Sequence, residues 1–267
     1  MGEILIGTCS WSGDGLRGAF YPPDIQPHDM IAYYSQHFRL VEVDSTYYHM
    51  PRAANFKLWA ERTPAGFVFD VKAYRQLTLH DRDQQPAVEQ FQQFAEALRP
   101  VYSAGKLGAV LLQFPPWFRP SPGSLHYLEV CRERLPDYPL AVEFRHGSWL
   151  REGVADETLR FLRQHDLAYV SVDEPQFPGS TVPPLAAATT GLAVVRFHGR
   201  NRETWFKRDV GVEQRFNYLY AVDELMEWVP RIRDLATQAV EVHVLMNNCY
   251  ADYSVRNARD VAQLLLV

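Results

Sequence analysis

The chain has 267 residues, 47% of them hydrophobic, enough to bury a large core without disulfide or metal staples. A formal net charge of −5 and a pI near 6.0 give no overall attraction to nucleic acid or to an anionic membrane. Three widely spaced cysteines, with no C-x-x-C pair, fit neither a disulfide framework nor a zinc ribbon.

The opening "MGEILIGTCSW" lacks a basic n-region, and no apolar run approaches the ~20 residues of a membrane span. A cytoplasmic protein that does not touch the membrane is therefore expected. From the N-terminus, strands are predicted at 3–11, 40–48, 67–74, 107–115, 140–149, 167–175, 192–200 and 240–248. Helices are predicted at 28–38, 53–62, 86–99, 123–135, 155–165, 222–239 and 253–265. Apolar spacing of three and four residues supports several of them, as with Phe91, Phe94, Ala95 and Leu98. The strands alternate with the helices, which indicates parallel βαβ units. The expected fold is α/β: a (β/α)8 TIM-type barrel, one domain over residues 1–267. The Pro- and Gly-rich stretch 176–191 predicts an irregular connection between the sixth and seventh strands. A doubly wound open sheet is disfavoured because "GTCSWSGDGLRG" lacks the G-x-G-x-x-G spacing.

Strand residues alternate between the helix layer and the barrel interior. In "LVEVDSTYY" the helix layer takes Val41 and Val43, so Glu42 and Asp44 are expected to point inward. The same alternation sends Asp70 and Lys72 inward, with Gln113, Glu143 and Arg145. It does the same for Ser171 and Asp173, for Arg196, His198 and Arg200, and for His243 and Asn247. These groups sit late in their strands, at the end where such barrels place their sites. A buried ion-pair network that merely fills the barrel is the competing explanation, but hydrophobic filling would be at least as stable.

Several chemistries follow from this inward set. Glu42, Asp44, Glu143, Asp173 and His198 are candidates for general acid–base catalysis. Lys72, Arg145, Arg196 and Arg200 would clamp a small anionic ligand such as a phosphate or sulfate group. Trp11, Tyr47, Gln113, Trp149, Asn247 and Asn248 would line its pocket. Hydrolysis or isomerisation is the most economical reaction class. Glu42, Glu143, Asp173, His198 and His243 could converge on a metal, as in barrel phosphoesterases. The interleaved cations and the absence of an H-x-H pair speak against that, so neither metal nor cofactor is expected. The segment 199–220 mixes Arg200, Arg202, Lys207, Arg208 and Arg215 with Trp205, Phe206, Phe216 and Tyr218. It reads either as a lid packed by its own aromatics or as a nucleic-acid contact, the latter diluted by Glu203, Asp209 and Glu213. A non-catalytic binding barrel would use the same residues. Cys9 and Cys249 fall near the ends of the first and last strands, which adjoin in a closed barrel. His80 and His146 fall in loops and read as solvated.

The motifs "IGTCSW", "FYPP" (20–23), "VEVDSTYY", "FVFDVKA", "LLQFPPWF" (111–118), "AVEFRHGSW" (141–149), "VVRFHGR" (194–200), "MNNC" (246–249) and "RNA" (256–258) run nearly the whole chain in order. Together they resemble the domain-of-unknown-function 72 family, the YecE-like barrels. The resemblance implies a TIM-type barrel of bacterial or archaeal distribution and no established activity. This chain departs from the family at Cys9-Ser10-Trp11, where relatives often carry Gly or Ser-Gly before the tryptophan. It departs again at Met246 and Cys249, where relatives often carry an aromatic and a His.

Overall fold

Eight short strands, each buried on both faces, hydrogen-bond edge to edge in parallel until the last meets the first. They are β1 (Glu3–Thr8), β2 (Leu40–Val43), β3 (Val68–Lys72), β4 (Leu107–Gln113), β5 (Leu140–Glu143), β6 (Leu167–Asp173), β7 (Leu192–Phe197) and β8 (Glu241–Met246). The computed structural model describes residues 1–266 apart from Asp83 and Arg208, and leaves aside the side chains of Asp14, Val212 and Glu213. Arg208 and the Glu213 side chain of the basic and aromatic segment thus lie outside what is described. The closed parallel cylinder with flanking helices is the expected (β/α)8 fold.

The helices are α1 (Met30–Tyr34), α2 (Ala53–Arg62), α3 (Val88–Ser103), α4 (Pro122–Arg134), α5 (Ala155–Gln164), α6 (Val212–Arg215), α7 (Val222–Met226), α8 (Val229–Gln238) and α9 (Tyr253–Leu265). Two expectations need correction. The helix expected over 222–239 is broken into α7 and α8, with Pro230 in the first turn of the second, where its missing N–H costs nothing. The helix expected over 28–38 is confined to Met30–Tyr34. The segment 176–191 carries no helix, as its prolines predict. Its Thr189 hydroxyl accepts from the Tyr169 N–H (2.7 Å) and donates to Leu167 O (2.7 Å), capping β6 where a helix would otherwise cover it.

The ladder registers fix which side chains share a face. Arg196 is level with Leu245 and Val172, Glu42 with Asp70, and Gln113 with Glu143. These positions form the interior set, while Val41, Val43, Val71, Val142 and Phe197 belong to the helix-facing layer. The interior is polar even at its lower, N-terminal end. There His243 Nδ1 lies 2.8 Å from Asp70 Oδ2, and Nε2 lies 2.7 Å from Glu241 Oε1. Gly108 on β4 makes room for this pair. A Cβ there would stand 2.5 Å from His243 Cε1 and 2.6 Å from Asp70 Oδ1.

Burial opposes a charge on His243, but the two carboxylates outweigh it and push its pKa up to about 9. A folded-state pKa raised in this way contributes stability fully present below the ordinary histidine value of about 6.5 and lost as pH rises. Unfolding free energy is therefore expected to fall as pH climbs from about 6.5 through about 9. Denaturant titrations of the native protein and of His243→Leu check this. The variant should lose roughly 3–5 kcal/mol, because Asp70 stays buried without its cation, and should show no such alkaline loss.

Candidate functional site at the C-terminal mouth

The upper interior is organised around Arg196 of β7, whose side chain is fully buried. Its Nε and Nη2 donate to both oxygens of Glu42 on β2, at 2.8 and 2.7 Å. Its Nη1 donates to Glu143 Oε2 on β5 and lies 3.5 Å from Gln113 Oε1 on β4. Nη2 also lies 3.5 Å from Cys9 Sγ, just past the end of β1. One guanidinium thereby joins strands from opposite sides of the cylinder through a two-pronged contact that lysine could not make.

Glu143 has further donors. Its Oε1 accepts from Arg145 Nη1 (3.0 Å) and pairs with His198 Nε2 (3.0 Å). Burial alone would raise this carboxyl, but Arg196, His198 and Arg145 outweigh it and hold its pKa well below the ordinary range. Glu42, with one cation shared between two acids, goes the other way: burial prevails and lifts it. His198 Nδ1 lies 2.8 Å from Asn247 Nδ2. The amide can only donate there, so the ring proton sits on Nε2 and points at Glu143. Burial, with Arg145 and Arg196 nearby, depresses His198 to about 3 against the pull of Glu143. His198 is therefore a neutral connector with both nitrogens committed, not a free base.

Asp173 is the clearest departure from the sequence expectation. It is level with outward-facing Phe197, while its neighbour Val172 is level with inward-facing Arg196. Asp173 and Ser171 therefore face the outer layer. There the Asp173 carboxylate accepts from Arg200 Nε and Nη2 (2.9 and 2.8 Å), Tyr220 Oη (2.6 Å) and Trp228 Nε1 (2.7 Å). It is a structural anchor, and Arg200, also paired with Glu227, is drawn out of the mouth with it. The acid that β6 supplies to the inner side is Glu174, one residue on. Its Oε2 is 3.2 Å from Arg145 Nη2, and its Oε1 accepts the Val182 N–H at 2.8 Å.

Three further expected lining residues are committed elsewhere. Trp149 is 1% exposed, stacked on Phe144 with ring centroids 4.2 Å apart, and it donates to Phe118 O at 2.8 Å. Trp11 is buried edge-on against Trp59. Asn248 is wholly buried, its Nδ2 bonded to Tyr218 O and Asn257 Oδ1, both at 2.9 Å. Asn257, the centre of the "RNA" motif, also holds the backbone of Tyr220, so the motif is a clasp for the incoming chain.

Lys72, Asp44 and Tyr47 remain at the mouth. Lys72 Nζ lies 4.7 Å over the Tyr47 ring. Among the described residues it has neither an ion-pair partner nor a hydrogen-bond acceptor, although Glu42, Glu143 and Asp44 all act on it from farther off. Burial and the Arg196 charge lower its pKa. Burial raises that of Asp44, against Lys72. Residues of the β3–α3 connection close this side of the rim. The His80 ring is 5.0 Å from Tyr47, the Arg75 guanidinium 6.0 Å from the same ring, and the Arg82 guanidinium 4.2 Å over Trp117. His80 is therefore packed rather than solvated, and burial beside Lys72 and Arg75 lowers its pKa to about 4. Next to Asp44 opens a cavity of about 290 Å³, lined also by Cys9, Tyr48, Phe216 and Cys249. Burial raises both thiols, so neither is a thiolate near neutrality.

Aromatic side chains of the segment after β7 pack over the other side. Trp205 is 6% exposed, its ring 5.1 Å from the Arg145 guanidinium, and Phe216 lies 6.1 Å from His198. Among the described residues no three His, Cys, Asp or Glu side chains are placed to hold a metal ion, and no helix is long and apolar enough to cross a membrane. Glu174, Tyr220, Trp228, Arg75 and Arg82 were not singled out for these positions from sequence. A charged tail at the end of β6, "DEP", was the visible signal for Glu174.

A closed (β/α)8 barrel with its strand ends tied by a buried ion-pair network is the class these features define. The chain belongs to the family described as "Protein of unknown function DUF72", which matches residues 5–267. It is 36% identical over 269 residues to the UPF0759 protein YunF of Bacillus subtilis (strain 168), covering 98% of this chain and 94% of that one. Among solved structures, a DUF72 family protein from Thermotoga maritima MSB8 is 36% identical with a TM-score of 0.88, covering 99% of this chain and all of that one. Another, from Enterococcus faecalis V583, is 29% identical with a TM-score of 0.89, covering 99% and 96%.

Arg196→Met is expected to destabilise the protein by roughly 3–5 kcal/mol, because two buried carboxylates lose their shared cation. Arg145→Met should cost less, since that side chain is partly exposed at the mouth. Glu143, with its depressed pKa, contributes stability present above the ordinary carboxylate range and lost as pH falls through it. Urea titrations of Glu143→Gln at neutral and acid pH should show a gap from native protein that narrows as pH drops.

Proposed function

We propose that this protein is an enzyme of the barrel mouth acting on a small anionic substrate, phosphate- or carboxylate-bearing. The substrate docks on the β3 side, against Lys72 and the rim formed by Tyr47, His80 and Arg75. One observation carries this reading: Arg145, Arg196 and Arg200 are each in contact with carboxylates, whereas among the described residues the Lys72 ammonium is not. A cation held in a partly desolvated site with no carboxylate in direct contact is a ready anion partner. The clamp expected from the arginines thus passes to Lys72, and the arginines act as positioning residues. Asp44 is the acid best placed for proton transfer, since Glu42 and Glu143 are engaged by Arg196 and Asp173 faces outward. Hydrolysis or isomerisation of such a substrate rests on analogy with other barrels.

Calorimetric titration with inorganic phosphate at low ionic strength tests the docking. Lys72→Met should weaken binding about tenfold or more, roughly 1.4 kcal/mol, while Lys72→Arg keeps most of it. Both variants should retain a cooperative thermal transition. Unchanged phosphate affinity in Lys72→Met would show that the anion does not sit there.

A further inference from the structure

We propose that Lys72 is a covalent nucleophile, forming an imine with a small carbonyl acid bound in the mouth. The inference rests on the anionic-substrate reading and gives it a substrate class. The four lysines occupy different settings. Lys57 and Lys207 are exposed on a helix and a loop. Lys106 Nζ is tied to Ala60 O, Thr63 O and Thr63 Oγ1 at 2.7, 2.7 and 3.0 Å. Lys72 points inward at the C-terminal end of β3, above an aromatic face, with no acceptor on its nitrogen among the described residues. Nearly every other basic position in the chain is arginine. A site that needed only a positive charge would be served as well by arginine, whereas an amine can lose its proton and attack.

The surroundings favour that attack. Burial and the neighbouring Arg196 guanidinium disfavour the ammonium form, the two means by which nucleophilic lysines are activated. Asp44, at the end of the adjacent strand β2 and with its pKa raised by burial against the pull of Lys72, would exchange protons with the reacting oxygen. In the step, the Nζ lone pair adds to the carbonyl carbon. The carbon–oxygen π pair moves to oxygen, which takes a proton, and the nitrogen gives one up. Asp44 then protonates the resulting hydroxyl, the C–O bond breaks, water leaves, and the nitrogen lone pair forms the C=N bond. No oxidant or reductant is consumed, and addition of water reverses the sequence. The cationic imine is an electron sink, so the reaction class is proton removal or carbon–carbon cleavage next to the former carbonyl. The cavity beside Asp44 gives the remainder of such a substrate a place to lie.

The test treats the full chain with glyoxylate and sodium cyanoborohydride, followed by proteolysis and mass spectrometry. The expected result is carboxymethylation of Lys72 ahead of Lys57, Lys106 and Lys207, slowed by added inorganic phosphate. Lys72→Arg should lose the adduct at this position while still binding phosphate. Adducts at Lys57 and Lys207 that leave Lys72 unmodified would overturn the imine. The phosphate titration would then decide separately whether the anion site itself stands.

Discussion

The upper half of this barrel is held by the contact between one buried guanidinium and two buried carboxylates. Arg196 reaches from β7 to Glu42 on β2 and Glu143 on β5. Each of these charges would be prohibitive to bury alone, and together they are tolerable only because every prong has a partner. The arrangement has a consequence for everything above it. Glu143 is shared with Arg145 and His198, so these two are oriented from below. His198 in turn fixes the Asn247 amide. The polar groups of the mouth are thus positioned by contacts within the protein itself, the kind of support that holding reacting groups within a fraction of an ångström would require.

The network also explains why many charges at a barrel mouth need not mean many catalytic groups. Most of the titratable side chains there are satisfied by one another. Among the described residues the uncommitted remainder is small: an amine, an acid on the adjacent strand, and an aromatic ring between them and the β3–α3 connection. Function is best sought where the internal pairing leaves a group without its complement, because there a ligand would supply the missing contact.

Much of this was legible in the chain. The alternation of valines with charged residues on β2, β3, β5 and β7 set the inward face correctly, because on those strands the apolar side chains pack under the helices. The alternation failed on β6, where Val170 and Val172 line the interior and Tyr169, Ser171 and Asp173 face outward. A strand that is buried on both sides has no solvent face to fix its phase, so parity alone could not choose. Trp149 and Asn248 sat at strand ends in the sequence, yet their segments fold back into the outer layer. The cations of the β3–α3 connection follow no period at all, and their approach to Tyr47 is a property of the folded chain. Which arginines were committed could not be read from the sequence, since their partners lie anywhere from 2 positions away (Arg145 and Glu143) to 154 (Arg196 and Glu42) with no common spacing.

Asp173 binds Arg200 at one end of the segment that follows β7 and Tyr220 at the other, with Trp228 behind them. Both ends of that excursion are thus fastened to a single carboxylate, and its span is set irrespective of what lies between. Closing a loop costs free energy that grows only slowly with its length, so a fixed base lets the intervening residues vary cheaply. The barrel has in effect an exchangeable flap on a permanent hinge. Its tip can change in length while Asp173 keeps its bonds to Arg200 and Tyr220 and β6 keeps its pairing with β7.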